Sequence, residues 1–265
     1  MSSKQISNGK VIDKSRVAKA FSSAAGQYDQ LAEAQKRIAG RLLSHCPQAD
    51  SVLDIGCGTG YWTRKLRDHC QASQVYGLDL APGMLSYAQQ QPGSQGIDWL
   101  CADAEALPLE PASLDLIFSS LAIQWCNDYH RLFSGIYNSL KSGGQAFICT
   151  LLPGTLDELK QSWATVDDAE HVNNFVGLES LAEAIQSQGL EISQSESYTE
   201  TLYYPDLRGV IDSIKGIGAH HVQGENHLTG RKAIIKLKQA YEGFRVEQGL
   251  PVSYQVLELQ LKRPE

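Results

Sequence analysis

Residues 51–60 read S-V-L-D-I-G-C-G-T-G, a short apolar run that ends in three glycines, each two positions from the next. A helical pattern begins at once, with Trp62 and Leu66 four apart on one side of the segment Thr59–Cys70. Few backbones pass from strand to helix through such a loop. Gly56 and Gly58 let the chain turn sharply and come closer to a ligand than a Cβ would permit. The feature therefore reads as the first βα turn of an α/β domain, with a ligand held at the turn.

The chain keeps that rhythm afterwards. Gln74–Asp79 is a second strand, and Pro82 stands at a first-turn position ahead of a helix over Met84–Gln90. Ile97–Cys101, Leu114–Ser119 and Gln145–Leu151 are further strands. Asp128–Leu140 is a helix and Lys141–Gly144 a turn. Strand and helix alternating through this stretch predict a parallel sheet with crossover helices, a doubly wound α/β fold. Beyond Pro153-Gly154 the pattern predicts a helix over Thr155–Asp168, with Thr155 and Glu158 spaced as a capping box. A helix at 179–188 and late strands at 190–200 and 252–261 complete the reading. Residues 205–248 are helix-like, basic and too long for a hairpin connection, so a lid over the ligand site is expected there. The whole of 1–265 is read as one domain, with 1–45 a helical N-terminal cap and 205–248 a lid insertion.

The loop narrows the ligand. Asp79 ends the second strand nineteen residues past Gly60, where an acid can accept hydrogen bonds from both ribose hydroxyls of an adenosyl group. A dinucleotide fingerprint would be G-x-G-x-x-G, but Tyr61 stands where its last glycine would fall. Asp54-Ile55-Gly56-Cys57-Gly58-Thr59-Gly60 instead resembles motif I of the class I S-adenosylmethionine-dependent methyltransferases. That resemblance implies a Rossmann-like sheet, S-adenosylmethionine as cofactor and S-adenosylhomocysteine as product. It also implies that Gly56, Gly58 and Gly60 shape the cofactor loop. Asp54 either orients the loop amides or acts through a bridging water. Asp79 is the implied ribose ligand. Asp103 and Ala104 match the loop that holds the adenine, and Ser119 the strand end beside the methionine portion.

Three further stretches resemble the malonyl-acyl carrier protein O-methyltransferases of biotin synthesis. Phe21–Tyr28 is similar to the family's N-terminal helix, where a tyrosine closes over the cofactor. Ser119–Cys126 (S-S-L-A-I-Q-W-C) is similar to its S-N-L-A-x-Q-W-C run, with Ser120 in place of the usual Asn. Ile214–His221 (I-K-G-I-G-A-H-H) is similar to its L-K-G-I-G-A-x-H, and this third stretch is the discriminating one. The implied reaction is transfer of a methyl group to the free carboxylate of a malonyl thioester on acyl carrier protein, giving the methyl ester from which pimeloyl formation starts.

The chemistry agrees with that implication. A carboxylate is already ionised at neutral pH, so positioning and exclusion of water suffice and no general base is required. Its receptor is a cation or hydrogen-bond donor. Lys215, His220 and His221 are the candidates, with Arg208 behind them. Tyr28 and Trp125 are candidate walls and Gln124 a candidate substrate contact. Another small-molecule O- or C-methyltransferase, for example one acting on a free dicarboxylic acid, stays open, as does a binding module without turnover.

Charge and cysteine usage bound the partners. Residues 1–45 carry eight Lys/Arg against three Asp/Glu, residues 46–207 six against twenty-one, and residues 208–245 seven against three. Carrier proteins of this class are acidic, so the 208–245 stretch, with Arg231, Lys232, Lys236 and Lys238, is the expected docking surface. The acidic middle and the absence of an Asn/Asp-Pro-Pro-aromatic motif at 119–125 argue against nucleic acid as substrate. Six scattered cysteines give no metal-ligand spacing, so no metal is expected. No apolar run is long enough to span a bilayer and the start is polar, so the expected location is cytoplasmic, away from membranes.

Overall fold

The structure is a computed structural model that describes residues 11–216 and 230–265. Asp13 accepts hydrogen bonds from the amides of Ser15 and Arg16 and so caps α1 (Lys14–Leu31). In α2 (Glu33–Ser44), Ile38, Ala39 and Leu42 form one buried face that packs on the sheet. β1 (Ser51–Ile55) is buried at every position, as a parallel strand covered on both faces must be. α3 (Tyr61–Cys70), β2 (Gln74–Asp79), α4 (Pro82–Gln89), β3 (Asp98–Cys101) and β4 (Leu114–Ser120) follow. A one-turn 3-10 helix, Ile123–Trp125, leads to α5 (Tyr129–Ser139) and β5 (Leu140–Leu151). The chain continues with α6 (Asp157–Ala164), α7 (Leu178–Ser187), β6 (Glu191–Tyr204), α8 (Leu207–Gly216), α9 (Arg231–Glu242) and β7 (Leu250–Lys262).

Among the described residues seven strands form one sheet in the order β3-β2-β1-β4-β5-β7-β6. The first five are parallel, and β7 runs antiparallel to both β5 and β6. From β1 the chain winds first toward β3 and then back through β4. The direction therefore reverses between β1 and β4, and a crevice opens there at the carboxyl ends of the strands, where α/β sheets bind ligands. The doubly wound α/β prediction holds, with a mixed rather than wholly parallel sheet.

Two local expectations change. The helix predicted over Thr155–Asp168 is confined to Asp157–Ala164, and Leu156, in a left-handed conformation, precedes it without a side-chain cap. The capping box does not form because both of its members pair with β7. Thr155 Oγ1 accepts the Gln255 amide at 3.0 Å, and Glu158 accepts the Ser253 hydroxyl at 2.5 Å. The turn expected at 141–144 is a break in the β5 ladder: Leu114 pairs with Leu140, and the next paired residue, Leu116, meets Gln145. Gly143, at φ +77°, absorbs that break.

Candidate active site

The crevice holds two adjoining cavities that share Tyr28, Gly56, Gly58 and Ser120. The larger, about 720 Å³ with its open mouth, runs from the glycine loop past Asp79 to Asp103 and Ala104. The smaller, about 500 Å³, lies between the glycine loop and α1–α2, with Asp29, Lys36 and Asp54 in its lining. Together they have the mixed polar and apolar lining of a small-molecule site.

The glycine loop makes the shared floor. Gly58 has φ +53°, and a Cβ built on it would meet no protein atom within 4 Å. It faces both cavities. A side chain at 58 would therefore be strained and would take up ligand space rather than strike the protein. Gly56 is constrained from the other side, since its Cβ would lie 2.2 Å from that of Ala122. Gly60 precedes α3 as its N-cap and lies against Trp99, outside both cavities.

Asp79 fastens the loop. Its Oδ2 accepts the Gly58 amide and its Oδ1 the Ala81 amide, both at 2.8 Å. The carboxylate is partly accessible through the cavity, yet burial still lifts it above the ordinary carboxylate range against the pull of those amides. Asp54 lies deeper, buried, with Oδ2 accepting the Thr63 hydroxyl at 2.6 Å. Burial raises its carboxyl to about 7.

At the far end, both oxygens of Asp103 accept from Lys14 Nζ, at 2.8 and 2.6 Å. Ala104 lines the same end of the cavity. An aromatic wall runs along the side. Trp125 meets Phe21 edge-on with ring centroids 5.7 Å apart, and Phe21 lies 6.2 Å from Tyr28. Burial, then the charges of Asp79 and Asp29, raise the Tyr28 phenol above its ordinary value, so at neutral pH it is a hydrogen-bond donor and not a base.

The residues singled out from sequence do not all converge. Tyr28, Asp54, Gly56, Gly58, Asp79, Asp103, Ala104 and Trp125 line one or both cavities. Ser119 does not: its hydroxyl donates to the Ile55 carbonyl at 3.0 Å and ties β4 to β1. Side chains alternate along a strand, so its neighbour Ser120 faces the site. Gln124 lines neither cavity, and its amide donates to the Leu121 carbonyl at 2.7 Å. Arg208 is 89% exposed on α8, paired with Asp212 at 3.5 Å. Lys215 lies near the end of α8, while His220 and His221 fall outside the described residues. Sequence reading missed Lys14, Asp29 and Lys36, which line the cavities from α1 and α2. Motif spacing carries no signal for them, because they come from elements outside the βα units. Among the described residues no cluster of acidic, His or Cys side chains could hold a metal. No helix of the described chain is long and apolar enough to cross a membrane.

Comparison with known proteins bears on the same frame. Residues 53–148 match the family described as "Methyltransferase domain". The "Malonyl-[acyl-carrier protein] O-methyltransferase" of Hahella chejuensis is 40% identical over 92% of this chain and 89% of its own length. This chain belongs to the malonyl-[acyl-carrier protein] O-methyltransferase family. A second relative, the "Biotin biosynthesis bifunctional protein BioHC" of Cellvibrio japonicus, is 44% identical over 96% of this chain. The chain spans only 51% of that longer protein. Among solved structures, the complex of the Haloferax volcanii Trm112 methyltransferase activator and a putative methyltransferase gives a TM-score of 0.61. It is 19% identical and the match covers 94% of this chain and 98% of that one. At that identity the likeness speaks for the fold alone. A class I methyltransferase fold and membership of an O-methyltransferase family thus agree with the crevice geometry.

Proposed function

We propose that this protein transfers the methyl group of S-adenosylmethionine to the free carboxylate of malonyl-acyl carrier protein, yielding the methyl ester from which pimeloyl formation in biotin synthesis starts. The observation that carries the reading is the 40% identity to a malonyl-acyl carrier protein O-methyltransferase, which extends over nine-tenths of both chains.

The residues present fit the cofactor. The adenosyl group would occupy the larger cavity, with its ribose hydroxyls on Asp79 and its adenine between Asp103 and Ala104. The amino-acid end would enter the smaller one, where Asp29 and Lys36 offer opposite charges. When bound, the cofactor supplies a sulfonium methyl that leaves as the carboxylate oxygen bonds to it, the S–C electron pair staying on sulfur.

This chain's own residues then orient and enclose. Tyr28 stands at the junction of the two cavities, and with Phe21 and Trp125 it keeps water from the methyl. No residue has to remove a proton, in keeping with a Tyr28 phenol that burial holds protonated. Lys215, near the end of α8, and His220 and His221, a few positions on in sequence, are the proposed receptors for the malonyl carboxylate. The proposed carrier surface is α9, where Lys232, Lys236 and Lys238 are exposed around Ile235, itself 50% exposed.

Methyl transfer from labelled S-adenosylmethionine to malonyl-acyl carrier protein, with acetyl-acyl carrier protein as control, tests the reading. Labelled ester on the malonyl form alone is the expected result. Transfer to free dicarboxylic acids with none to the carrier-bound form would overturn it.

A further inference from the structure

We infer that Lys14 is a positioning residue that sets the enzyme's preference for an adenine base, by holding the Asp103 carboxylate where the 6-amino group donates. The inference rests on the S-adenosylmethionine reading above.

Lys14 opens α1 and reaches across eighty-nine positions of sequence to the adenine end of the cavity. Its Nζ lies 2.8 and 2.6 Å from the two oxygens of Asp103, and 2.5 Å from Glu105 Oε1. The cluster is largely enclosed, with side-chain exposures of 19% for Lys14, 35% for Asp103 and 9% for Glu105. Burial alone would make the Lys14 ammonium less basic. The hydrogen bonds to the two acids outweigh it and raise the group above its ordinary value. The cation is therefore fixed as an ion at working pH.

The segment that carries Lys14 is itself fastened to the same loop. Asn127 Oδ1 accepts the Ile12 amide at 2.7 Å, and Asn127 Nδ2 donates to the Ile12 carbonyl at 3.0 Å. The Asn127 amide in turn donates to Glu105 Oε1. Lys14, Glu105, Asn127 and Ile12 thus form a closed circuit around Asp103.

That circuit determines what Asp103 can still accept. Its Oδ1 takes Lys14 and the Glu105 amide, so both lone-pair directions there are filled. Its Oδ2 takes Lys14 alone and keeps one direction for a donor on the ligand. An adenine 6-amino group is such a donor, whereas the 6-oxo group of hypoxanthine would set acceptor against acceptor. Without Lys14, two neighbouring carboxylates would repel and Asp103 would lose the orientation on which that choice depends.

The test compares affinities for S-adenosylhomocysteine and S-inosylhomocysteine by calorimetry in the native enzyme, Lys14→Met, Lys14→Arg and Asp103→Asn. The native enzyme is expected to favour the adenosyl ligand by roughly tenfold or more, as sites built to pair a donor do. Lys14→Met should narrow that preference to roughly threefold or less, as Asp103→Asn does, mainly by weakening the adenosyl complex. Lys14→Arg should restore most of it, and Lys14→Gln replaces the methionine variant if that one fails to fold. In turnover, KM for S-adenosylmethionine should rise in Lys14→Met while kcat stays within roughly twofold, the pattern of lost uniform binding. A variant that keeps the full preference, or weakens both ligands equally, overturns the role of Lys14. A native enzyme that binds neither ligand overturns the cofactor reading itself.

Discussion

The Thr59 hydroxyl of the glycine loop donates to Asp29 Oδ1 of α1 at 2.8 Å, so a side-chain bond ties the N-terminal helix to the glycine loop. α1 also packs on α4 through Ala25, Ala81 and Met84, but Thr59–Asp29 is the contact that couples helix position to loop position. Thr59→Val keeps the shape and removes the bond. It should raise KM for S-adenosylmethionine by roughly three- to tenfold, the range expected for one hydrogen bond of about 1 kcal/mol. Proteolytic cleavage within α1 should become faster in the same variant. Unchanged KM and unchanged cleavage would mean that the other contacts of α1, the Lys14 ion pairs among them, seat the helix without this bond.

Asp54 gives a pH dependence with a definite sign. Burial, with the nearby charge of Asp79, lifts its carboxyl to about 7 even though the Thr63 hydroxyl pulls it down. The unfolded chain titrates this group near its ordinary value of 3.8, so a folded value above it means the unfolded state loses the proton first. The stability it contributes is complete below about pH 4 and is lost as pH rises through about 7. Asp54→Asn should therefore flatten the fall in stability between about pH 4 and about pH 7. Thr63→Val, which removes the bond favouring the ionised form, should steepen it at the upper end. Denaturant midpoints of the cofactor-free protein at several pH values measure both. Parallel curves for native and Asp54→Asn would show that another group governs the slope.

Sequence patterns reached the parts of this molecule that are governed locally. β2 runs over Gln74–Asp79 as its apolar pattern predicts, because a central parallel strand is specified by its own residues and by flanking turn signals. Pro82 likewise stands at the head of α4. Patterns failed where a distant partner decides. Thr155 and Glu158 have the spacing of a cap, yet β7 captures both. The motif points to Ser119, but the pleat of β4, fixed by pairing with β1 and β5, turns Ser120 to the cavity instead. Lys14 carries no signal at all, since its value lies in a meeting with Asp103 and Glu105, about ninety positions away in sequence, that only the tertiary fold brings about.

Tyr28 should matter as a donor and as a wall, and the two roles separate. Burial and the charges of Asp79 and Asp29 keep its phenol protonated well above neutral pH. Tyr28→Phe, which removes the donor and keeps the ring, should lower kcat by roughly tenfold and leave the shape of the pH–rate profile unchanged. Tyr28→Ala should fall further, because the ring's contact with Phe21 is lost as well. A basic limb near neutral pH that Tyr28→Phe abolishes would show the phenolate taking part, against the positioning role.

The proposed carrier surface can be tested apart from the chemistry. Lys232 and Lys236 are exposed one turn apart on α9, and a charged patch of this kind attracts an acidic partner more than it binds one. Reversing both charges (Lys232→Glu with Lys236→Glu) should raise KM for malonyl-acyl carrier protein by roughly tenfold at low salt, with the gap closing as salt screens the patch. KM for S-adenosylmethionine should not move, since neither lysine lines a cavity. Malonyl-coenzyme A, which presents the same carboxylate without an acidic protein, should be turned over equally by native and variant enzyme if it is accepted at all. A variant impaired equally on both thioesters would place the defect in the fold of α9. A variant unimpaired on the carrier-bound substrate would move the docking surface elsewhere on the molecule.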